Sequence, residues 1–187
     1  MQYFDGLINE PQYHNCYEIL GGVKFLRLLR TYDFNHKKVR QVIRLREGEW
    51  KDGKYISGGI PQPGTNGTKV YMWQPFQIMV LASVFGFRTW IDTQLTTEDK
   101  DELLPTEKIV DGKIYDLRRL CTDYTYYLPR KNDKSGMSAF IQVVFFLMED
   151  ANSECYCCAN SSDQSKLLFR RTIQMLRQLD DGHRLRI

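Results

Sequence analysis

The chain has 187 residues, of which 42% are hydrophobic and 26% are charged, a composition typical of a globular protein rather than a disordered one. Its formal net charge of +3 is too small to require a nucleic-acid partner, although it tolerates one. Apolar runs stay shorter than the roughly 18 residues of a membrane span. A basic and apolar leader is also lacking, so we expect no membrane association and predict residence in the cytoplasm.

The first half of the chain predicts three helices and a loop. Apolar residues at helical spacing predict one helix over residues 20–30 and a second over residues 37–46. Frequent glycine and proline between residues 48 and 69 predict a loop or a short hairpin. An apolar stretch of helical length predicts the third helix over residues 76–87.

The second half predicts alternating strands and helices. Residues 92–113 are polar and acidic and are predicted to form an exposed insertion. A strand over residues 122–128 is followed by a basic turn and an apolar helix, and a short buried strand over residues 154–159 leads into a helix over residues 162–179. This order predicts an α/β fold with a parallel sheet and flanking helices.

The last predicted helix is amphipathic. Phe169, Ile173 and Leu176 recur at helical spacing and are predicted to face the core. Its basic side chains, Lys166, Arg170, Arg171 and Arg177, are predicted to face solvent.

The five cysteines favour neither disulfides nor a metal site. Cys155, Cys157 and Cys158 are crowded into four positions, and the three histidines are scattered along the chain. We therefore predict that these cysteines pack as small apolar residues within the strand over residues 154–159.

The basic turn before the apolar helix is a candidate phosphate-binding loop. A loop between a strand and a helix directs backbone N–H groups and the positive end of the helix dipole at one point, where a polyphosphate can bind. Lys134 and Ser135 stand where a lysine reaches the phosphates and a hydroxyl ligates Mg²⁺. Both glycines of the strict motif are replaced, by Leu128 and Asp133. From the residues alone, a solvated basic turn therefore stays an alternative.

Three segments of the chain resemble, in content and in their order along the chain, the large subunit of tailed-phage terminases, the ATP-driven motors that package DNA. Residues 129–135, Pro-Arg-Lys-Asn-Asp-Lys-Ser, resemble the deviant phosphate loop of that family, which lacks the first glycine too. Residues 73–77, Trp-Gln-Pro-Phe-Gln, resemble its adenine-side motif, and residues 155–164 resemble the strand and loop after the phosphate-loop helix. The resemblance spans most of residues 20–180.

The resemblance implies an incomplete P-loop NTPase-like core over residues 71–187, preceded by a small helical and irregular lead-in over residues 1–70, in one structural domain. It implies ATP and Mg²⁺ as cofactors. The nucleotide-binding residues that it implies are Arg130, Lys131, Asn132, Asp133, Lys134, Ser135, Gln77 and Gln164.

The roles implied for these residues differ. Lys134 would neutralise the β- and γ-phosphates, Ser135 would hold Mg²⁺, and the basic pair at 130–131 would add positive charge. Gln77 would hydrogen-bond the adenine edge, and Gln164 would lie beside the nucleotide or at the start of its helix. From the residues alone, the favoured roles are a helix cap for Gln77 and plain surface for Gln164.

Two departures from the family pattern change what is expected of this chain. Asp133 places a carboxylate where the family has glycine, and like charges about 4 Å apart repel by roughly 1 kcal/mol in water and by more in a drier site. The acidic motif needed for hydrolysis does not occur before Ile187, so no catalytic residue is assigned within this chain. We expect the chain alone to hydrolyse ATP poorly or not at all.

The partners implied by the resemblance are viral double-stranded DNA, the portal and the small terminase subunit. A homo-oligomer is a further expectation, because a parallel sheet cut after two strands has an open edge. Two other functions stay open: another loop-type ATPase such as a helicase, and a degenerate prophage remnant that acts only as an interaction domain.

Overall fold

The structure is a computed structural model, and it describes residues 9–10, 12, 16–51, 54–60, 71–100, 102–125, 132–148 and 154–179. Five helices lie within these ranges: α1 (Cys16–Thr31), α2 (His36–Glu47), α3 (Pro75–Phe85), α4 (Lys134–Met148) and α5 (Ser162–Leu179). The strands are β1 (Asp33–Phe34), β2 (Glu49–Lys51), β3 (Lys54–Ser57), β4 (Phe87–Thr96), β5 (Glu107–Val110) and β6 (Lys113–Arg119).

The chain divides into two compact units, and each unit joins two separate stretches of sequence. Unit 1 comprises Met1–Val39 and Ile78–Tyr124, and unit 2 comprises Arg40–Gln77 and Thr125–Ile187. Two of the three divisions fall inside α2 and α3, and the third lies between Tyr124 and Thr125. The boundary expected at residue 70 stays a prediction.

Unit 1 contains a four-stranded antiparallel sheet in the order β1-β4-β6-β5. Its longest pairing joins β4 to β6, with Trp90 opposite Leu117. β5 and β6 form a hairpin whose turn residues, Asp111 and Gly112, have φ angles of 50° and 77°. A two-residue turn with positive φ at both positions matches the right-handed twist of the flanking strands, which is why Asp-Gly is favoured there.

Three phenylalanines form the aromatic centre of unit 1. The ring of Phe87 lies edge-on to those of Phe25 and Phe34, at centroid distances of 5.1 and 5.0 Å. The chain turns at Gly86, where a Cβ would lie 2.2 Å from the Phe34 ring, so only glycine allows this approach. The packing of these rings fixes the start of β4 against β1.

Unit 2 combines the end of α2, the β2–β3 hairpin, α4 and α5. The inner face of α4 is fully buried at Met137, Phe140, Val143 and Val144. Thr172 of α5 donates to Gln142 of α4 at 2.7 Å and is itself 3% exposed, so a polar contact joins the two helices within their packed faces.

The α/β class predicted from the sequence is confirmed, and all five predicted helices are present. The predicted parallel sheet is not supported, because every strand pair among the described residues is antiparallel. The predicted insertion at 92–113 instead supplies the second half of β4 and all of β5 to the sheet. The prediction of a strand at 154–159 is wrong, because these residues are irregular. Cys155 and Cys157 are partly buried there, and Cys158 is exposed.

Two further sequence predictions need correction or lie out of reach. Phe169 does not face the core but is 57% exposed, and the buried face of α5 is formed by Thr172, Met175 and Leu176. Of the strand predicted over 122–128, residues 122–125 are irregular and the rest lies outside the described residues. Among the described helices, none combines the length and the apolar character needed to cross a membrane.

Candidate functional site

The candidate site is a cluster in unit 2 that is centred on Arg46, in the last turn of α2. A basic side chain is stabilised there because the unsatisfied carbonyls give a helix C-terminus a partial negative charge. The backbone carbonyl of Arg46 accepts a hydrogen bond from Ile60 N–H at 2.8 Å. Gly59 makes this approach feasible, since its φ is 78° and a Cβ there would lie 2.8 Å from the Arg46 carbonyl oxygen.

The Arg46 guanidinium is enclosed by three aromatic rings. Its Cζ lies 3.4 Å from the ring centroid of Tyr71, 4.6 Å from that of Trp73 and 5.5 Å from that of Phe140. The side chain is only 2% exposed, and its burial lowers the pKa of the guanidinium. Stacking on aromatic faces stabilises a desolvated guanidinium, and an arginine still keeps its charge there.

Trp73 is held against the last turns of α2 by two hydrogen bonds. The backbone N–H of Trp73 donates to Glu47 Oε1 at 2.8 Å, and its indole Nε1 donates to the carbonyl oxygen of Ile43 at 3.2 Å. Trp73 is 6% exposed and therefore belongs to the core as well as to the cluster. These contacts fix the position of the Trp73 ring beside the Arg46 side chain.

Asp133 supplies the counter-charge. Its Oδ2 accepts from Arg46 Nη2 and from Tyr71 Oη, at 3.1 Å each. Its backbone carbonyl accepts from Met137 N–H at 2.8 Å, so Asp133 is the N-cap residue of α4. Its φ of 51° lies in the left-handed region, which favours glycine and is tolerated by aspartate.

The Asp133 carboxylate is folded back over the first turn of α4. A Cβ added to Gly136 would lie 2.0 Å from Asp133 Oδ1 and 2.5 Å from Oδ2. The carboxylate thus occupies the concave space directly against the backbone of Gly136. A side chain at position 136 and the carboxylate in this position exclude each other.

Tyr71 links Asp133 to the start of α3. The hydroxyl of Tyr71 lies 2.9 Å from Gln77 Nε2, which donates to it, and its own proton is then directed at Asp133. Gln77 Oε1 accepts from the backbone N–H of Gln74 at 2.9 Å, the reciprocal contact of a capping box at the start of α3. Burial raises the pKa of Tyr71, which keeps the hydroxyl protonated as a donor.

The predicted site residues are only partly brought together. Gln77 and Asp133 lie in the cluster, but Gln77 is 2% exposed and both of its amide atoms are engaged. Lys134 is the first residue of α4 and is exposed, while Ser135 and Asn132 are partly buried. Arg130 and Lys131 lie outside the described residues.

Gln164 lies elsewhere in unit 2, in the first turn of α5. It is exposed, and its backbone N–H donates to Ser161 Oγ at 3.4 Å. Within the described part of the chain, no hydrogen bond or ion pair joins Gln164 to the Asp133 cluster. A role for Gln164 beside a nucleotide stays a prediction.

Sequence reasoning missed Arg46 and Tyr71 as members of the cluster. Arg46 was placed in a predicted helix, and its separation of 87 positions from Asp133 gives no local signal. Tyr71 stands only two residues before the recognised Trp73 segment, so an aromatic residue flanking that motif was the available clue.

Among the described residues, Ser135 is the one that the resemblance offers to Mg²⁺, together with the oxygens of a bound ligand. In the described ranges, no three His, Cys, Asp or Glu side chains gather in a way that could hold a metal ion. Mg²⁺ commonly takes few protein ligands and completes its octahedron with phosphate oxygens and water. The Ser135 hydroxyl fits that pattern, while the carboxylate of Asp133 is already bonded to Arg46 and Tyr71.

The protein was also compared with known proteins. Searches against protein-family models, curated proteins and solved structures found no match.

Proposed function

We propose that this chain is the ATP-binding part of a terminase-like packaging motor, with the nucleotide bound in unit 2 at the start of α4. The observation that carries the proposal is the bridge made by the Tyr71 hydroxyl. It bonds Gln77 of the adenine-side segment at 2.9 Å and Asp133 of the candidate phosphate loop at 3.1 Å. Two segments assigned to one nucleotide by sequence resemblance therefore converge on one atom.

The surroundings favour a negatively charged ligand. Asp133 and Gln74 are the N-cap residues of α4 and α3, and a hydrogen-bonded chain through Gln77 and Tyr71 connects these two helix starts. Helix N-termini carry partial positive charge and unsatisfied N–H groups, so anions are stabilised there. The buried guanidinium of Arg46 adds a positive charge, which Asp133 balances in this structure.

In the proposed complex, each loop residue has one task. Lys134 neutralises the β- and γ-phosphates from the first position of α4, and Ser135 ligates Mg²⁺, which supplies charge neutralisation between phosphate oxygens. Arg130, Lys131 and Asn132 complete the loop. Gln77 reads the adenine edge only if its amide leaves the capping contact to Gln74.

The proposal extends to the cellular role that the resemblance implies. The complete motor would couple ATP hydrolysis to translocation of viral double-stranded DNA in the host cytoplasm, together with a portal and a small terminase subunit. A parallel P-loop sheet belongs to this proposal as well, although the strands described in this chain pair antiparallel. Support for the proposal therefore comes from the cluster rather than from the sheet.

A second candidate function is an interaction domain that binds no nucleotide. It is favoured by the internal hydrogen bonding of the cluster, in which Gln77 is buried and Asp133 is paired with Arg46. A polar network satisfied within the protein stabilises a fold without any ligand.

Binding of Mg-ATP, measured by isothermal titration calorimetry, tests the proposal. We expect the unaltered chain to bind weakly and Lys134→Ala to reduce the affinity by at least tenfold, because the lysine charge lies at the phosphates. Lys166→Ala is the matched control, since Lys166 is an exposed lysine on α5 of the same unit. Sodium triphosphate measured alongside ATP reports the contribution of the adenosine moiety.

Two results would decide against the proposal. Equal affinities of the Lys134→Ala and Lys166→Ala variants would show that the binding does not involve the start of α4. Absence of Mg-ATP binding by the unaltered chain and by Asp133→Gly alike would favour the interaction domain.

A further inference from the structure

We propose that Arg46 is the principal anion-binding residue of this site and that the Asp133 carboxylate is a built-in placeholder for a phosphate group. This inference concerns the regulation of the same site and rests on the proposed function. It adds Arg46 to the site, 87 positions before Asp133 in the sequence.

The first argument is the unused hydrogen-bonding capacity of Arg46. Its Nη2 donates to Asp133, but its Nε and Nη1 are buried and have no hydrogen-bond partner among the described residues. A buried N–H group without a partner is destabilising, because it has given up its hydrogen bonds to water without replacing them. A guanidinium held in this way is better matched by a ligand with more acceptor oxygens than one carboxylate oxygen provides.

The second argument is the shape of the space that the carboxylate occupies. A Cβ added to Gly136 would lie 2.0 Å from Asp133 Oδ1. The carboxylate therefore already places an anion against the backbone of the first turn of α4. Only a position without a side chain permits this approach. Removal of the carboxylate would free this space for the oxygens of another anion.

The third argument is the backbone of Asp133 itself. Its φ of 51° suits glycine at least as well as aspartate. Asp133→Gly should therefore remove the carboxylate without straining the turn. At position 133, aspartate therefore differs from glycine in the negative charge that it brings to the site and not in its backbone conformation.

Inorganic pyrophosphate is the probe of choice because it carries the phosphate chemistry without an adenine. We expect Asp133→Gly to bind pyrophosphate at least tenfold more tightly than the unaltered chain, by calorimetry at low ionic strength. Asp163→Asn removes one negative charge from the first turn of α5 and is the control for net charge. We expect that variant to bind like the unaltered chain.

Two double variants test the placement of the anion. Asp133→Gly with Arg46→Lys keeps the positive charge but loses the planar fork, and it should lose at least tenfold of the gained affinity. Asp133→Gly with Gly136→Ala fills the space against α4 with a methyl group and should lose the gain as well. The second pair keeps the inference testable if replacing the buried arginine prevents folding.

The outcomes separate this inference from the proposed function. If Asp133→Gly gains pyrophosphate affinity that depends on Arg46 and Gly136 while Mg-ATP binds no variant, the inference stands and the ATPase proposal fails. If Mg-ATP binds the unaltered chain through Lys134 and Asp133→Gly gains nothing, the inference is overturned and the ATPase proposal stands. An equal gain in Asp163→Asn would also overturn it, because the effect would then be one of net charge.

Discussion

Asp133 and Gly136 are mutually dependent, because the carboxylate of one fills the space that a side chain on the other would need. A methyl group at position 136 would meet the Asp133 carboxylate at 2.0 Å. The end of a short flexible side chain can rotate away, but rotation would break its bonds to Arg46 and Tyr71. The buried guanidinium would then lose its counter-charge.

Gly136→Ala is accordingly expected to destabilise the protein by about 1–3 kcal/mol, because Arg46 is left buried without its acceptor. The estimate is below the usual cost of breaking a buried ion pair because the Asp133 side chain is 34% exposed. In the Asp133→Gly background the same change should be neutral or stabilising by up to about 1 kcal/mol, since alanine is the better helix former. Urea unfolding of the four proteins in the cycle measures this coupling.

Gly21→Ala provides the matched control for the glycine cycle. Gly21 is a helical glycine of α1 whose added Cβ would meet Met79 Cε at an ordinary contact distance of 3.7 Å. We expect a gain of up to about 1 kcal/mol there. Additive effects of Gly136→Ala and Asp133→Gly would contradict the proposed exclusion.

At the scale of the elements, the stability of α3 depends on the side chain of Gln77 in its first turn. Gln77 accepts from Gln74 N–H and donates to Tyr71, so a single amide caps the helix and connects it to the Asp133 cluster. We expect Gln77→Ala to lower the free energy of unfolding by about 1–2 kcal/mol without any nucleotide present. Thermal and urea unfolding measure the loss.

Gln174→Ala is the control for this prediction, because Gln174 is an exposed glutamine within α5. Its replacement should change the free energy of unfolding by less than about 0.5 kcal/mol. If both glutamine variants were equally stable, the capping contact would have no energetic role, and Gln77 would be free for recognition of a ligand.

The helices were predictable from the sequence because their signals are local. The apolar spacing along α4 and α5 is strong, and α5 was predicted with the bounds Ser162–Leu179 that it has. Local periodicity did not determine which side of α5 faces the core, because Phe169 and Thr172 lie on adjacent faces of the helix. Packing placed the smaller, hydrogen-bonded Thr172 inside and left Phe169 exposed.

The sheet was not predictable to the same degree, because its pairing depends on contacts far apart in sequence. The polar residues at 92–113 indicated an exposed insertion, yet the Asp111-Gly112 turn between two runs of strand formers was a hairpin signal. Antiparallel pairing of β4 with β6 places Arg88 opposite Arg119, a contact between distant positions that no local pattern of the sequence reveals.

The candidate site combines local and distant information. The loop residues Asp133 and Lys134 were recognised from a short motif, and the structure places them at the start of α4. Arg46 was not recognised, because its role arises only when the chain brings residues 46, 71 and 133 together. The polar contacts of a site are set by tertiary structure even where its motif is local.

At the scale of the whole molecule, the two described units differ in which side chains have shifted pKa values: carboxyl groups in unit 1 and a buried tyrosine in unit 2. The lowered carboxyl pKa values belong to Asp99, Glu107 and Asp116 of unit 1. The pKa of Glu107 is lowered by hydrogen bonds from Lys100 and from the Leu104 backbone N–H, at 2.6 and 2.8 Å. In unit 2, burial raises the pKa of Tyr71.

Opposite shifts predict opposite pH limits for the two units. A lowered carboxyl pKa gives stability that is present above the unfolded value and lost as the pH falls through the folded one, so unit 1 should weaken below about pH 4. A raised tyrosine pKa gives stability that is present below about pH 10 and lost at higher pH, so unit 2 should weaken in alkali.

Urea unfolding at acid and alkaline pH tests both limits. The free energy of unfolding of Glu107→Gln should approach that of the unaltered chain as the pH falls. The free energy of unfolding of Tyr71→Phe should approach it as the pH rises. Glu102→Gln, at an exposed carboxylate, is the control for removing one negative charge from unit 1. A constant difference for Glu107→Gln from pH 6 to pH 3 would mean that its contact with Lys100 does not stabilise the sheet.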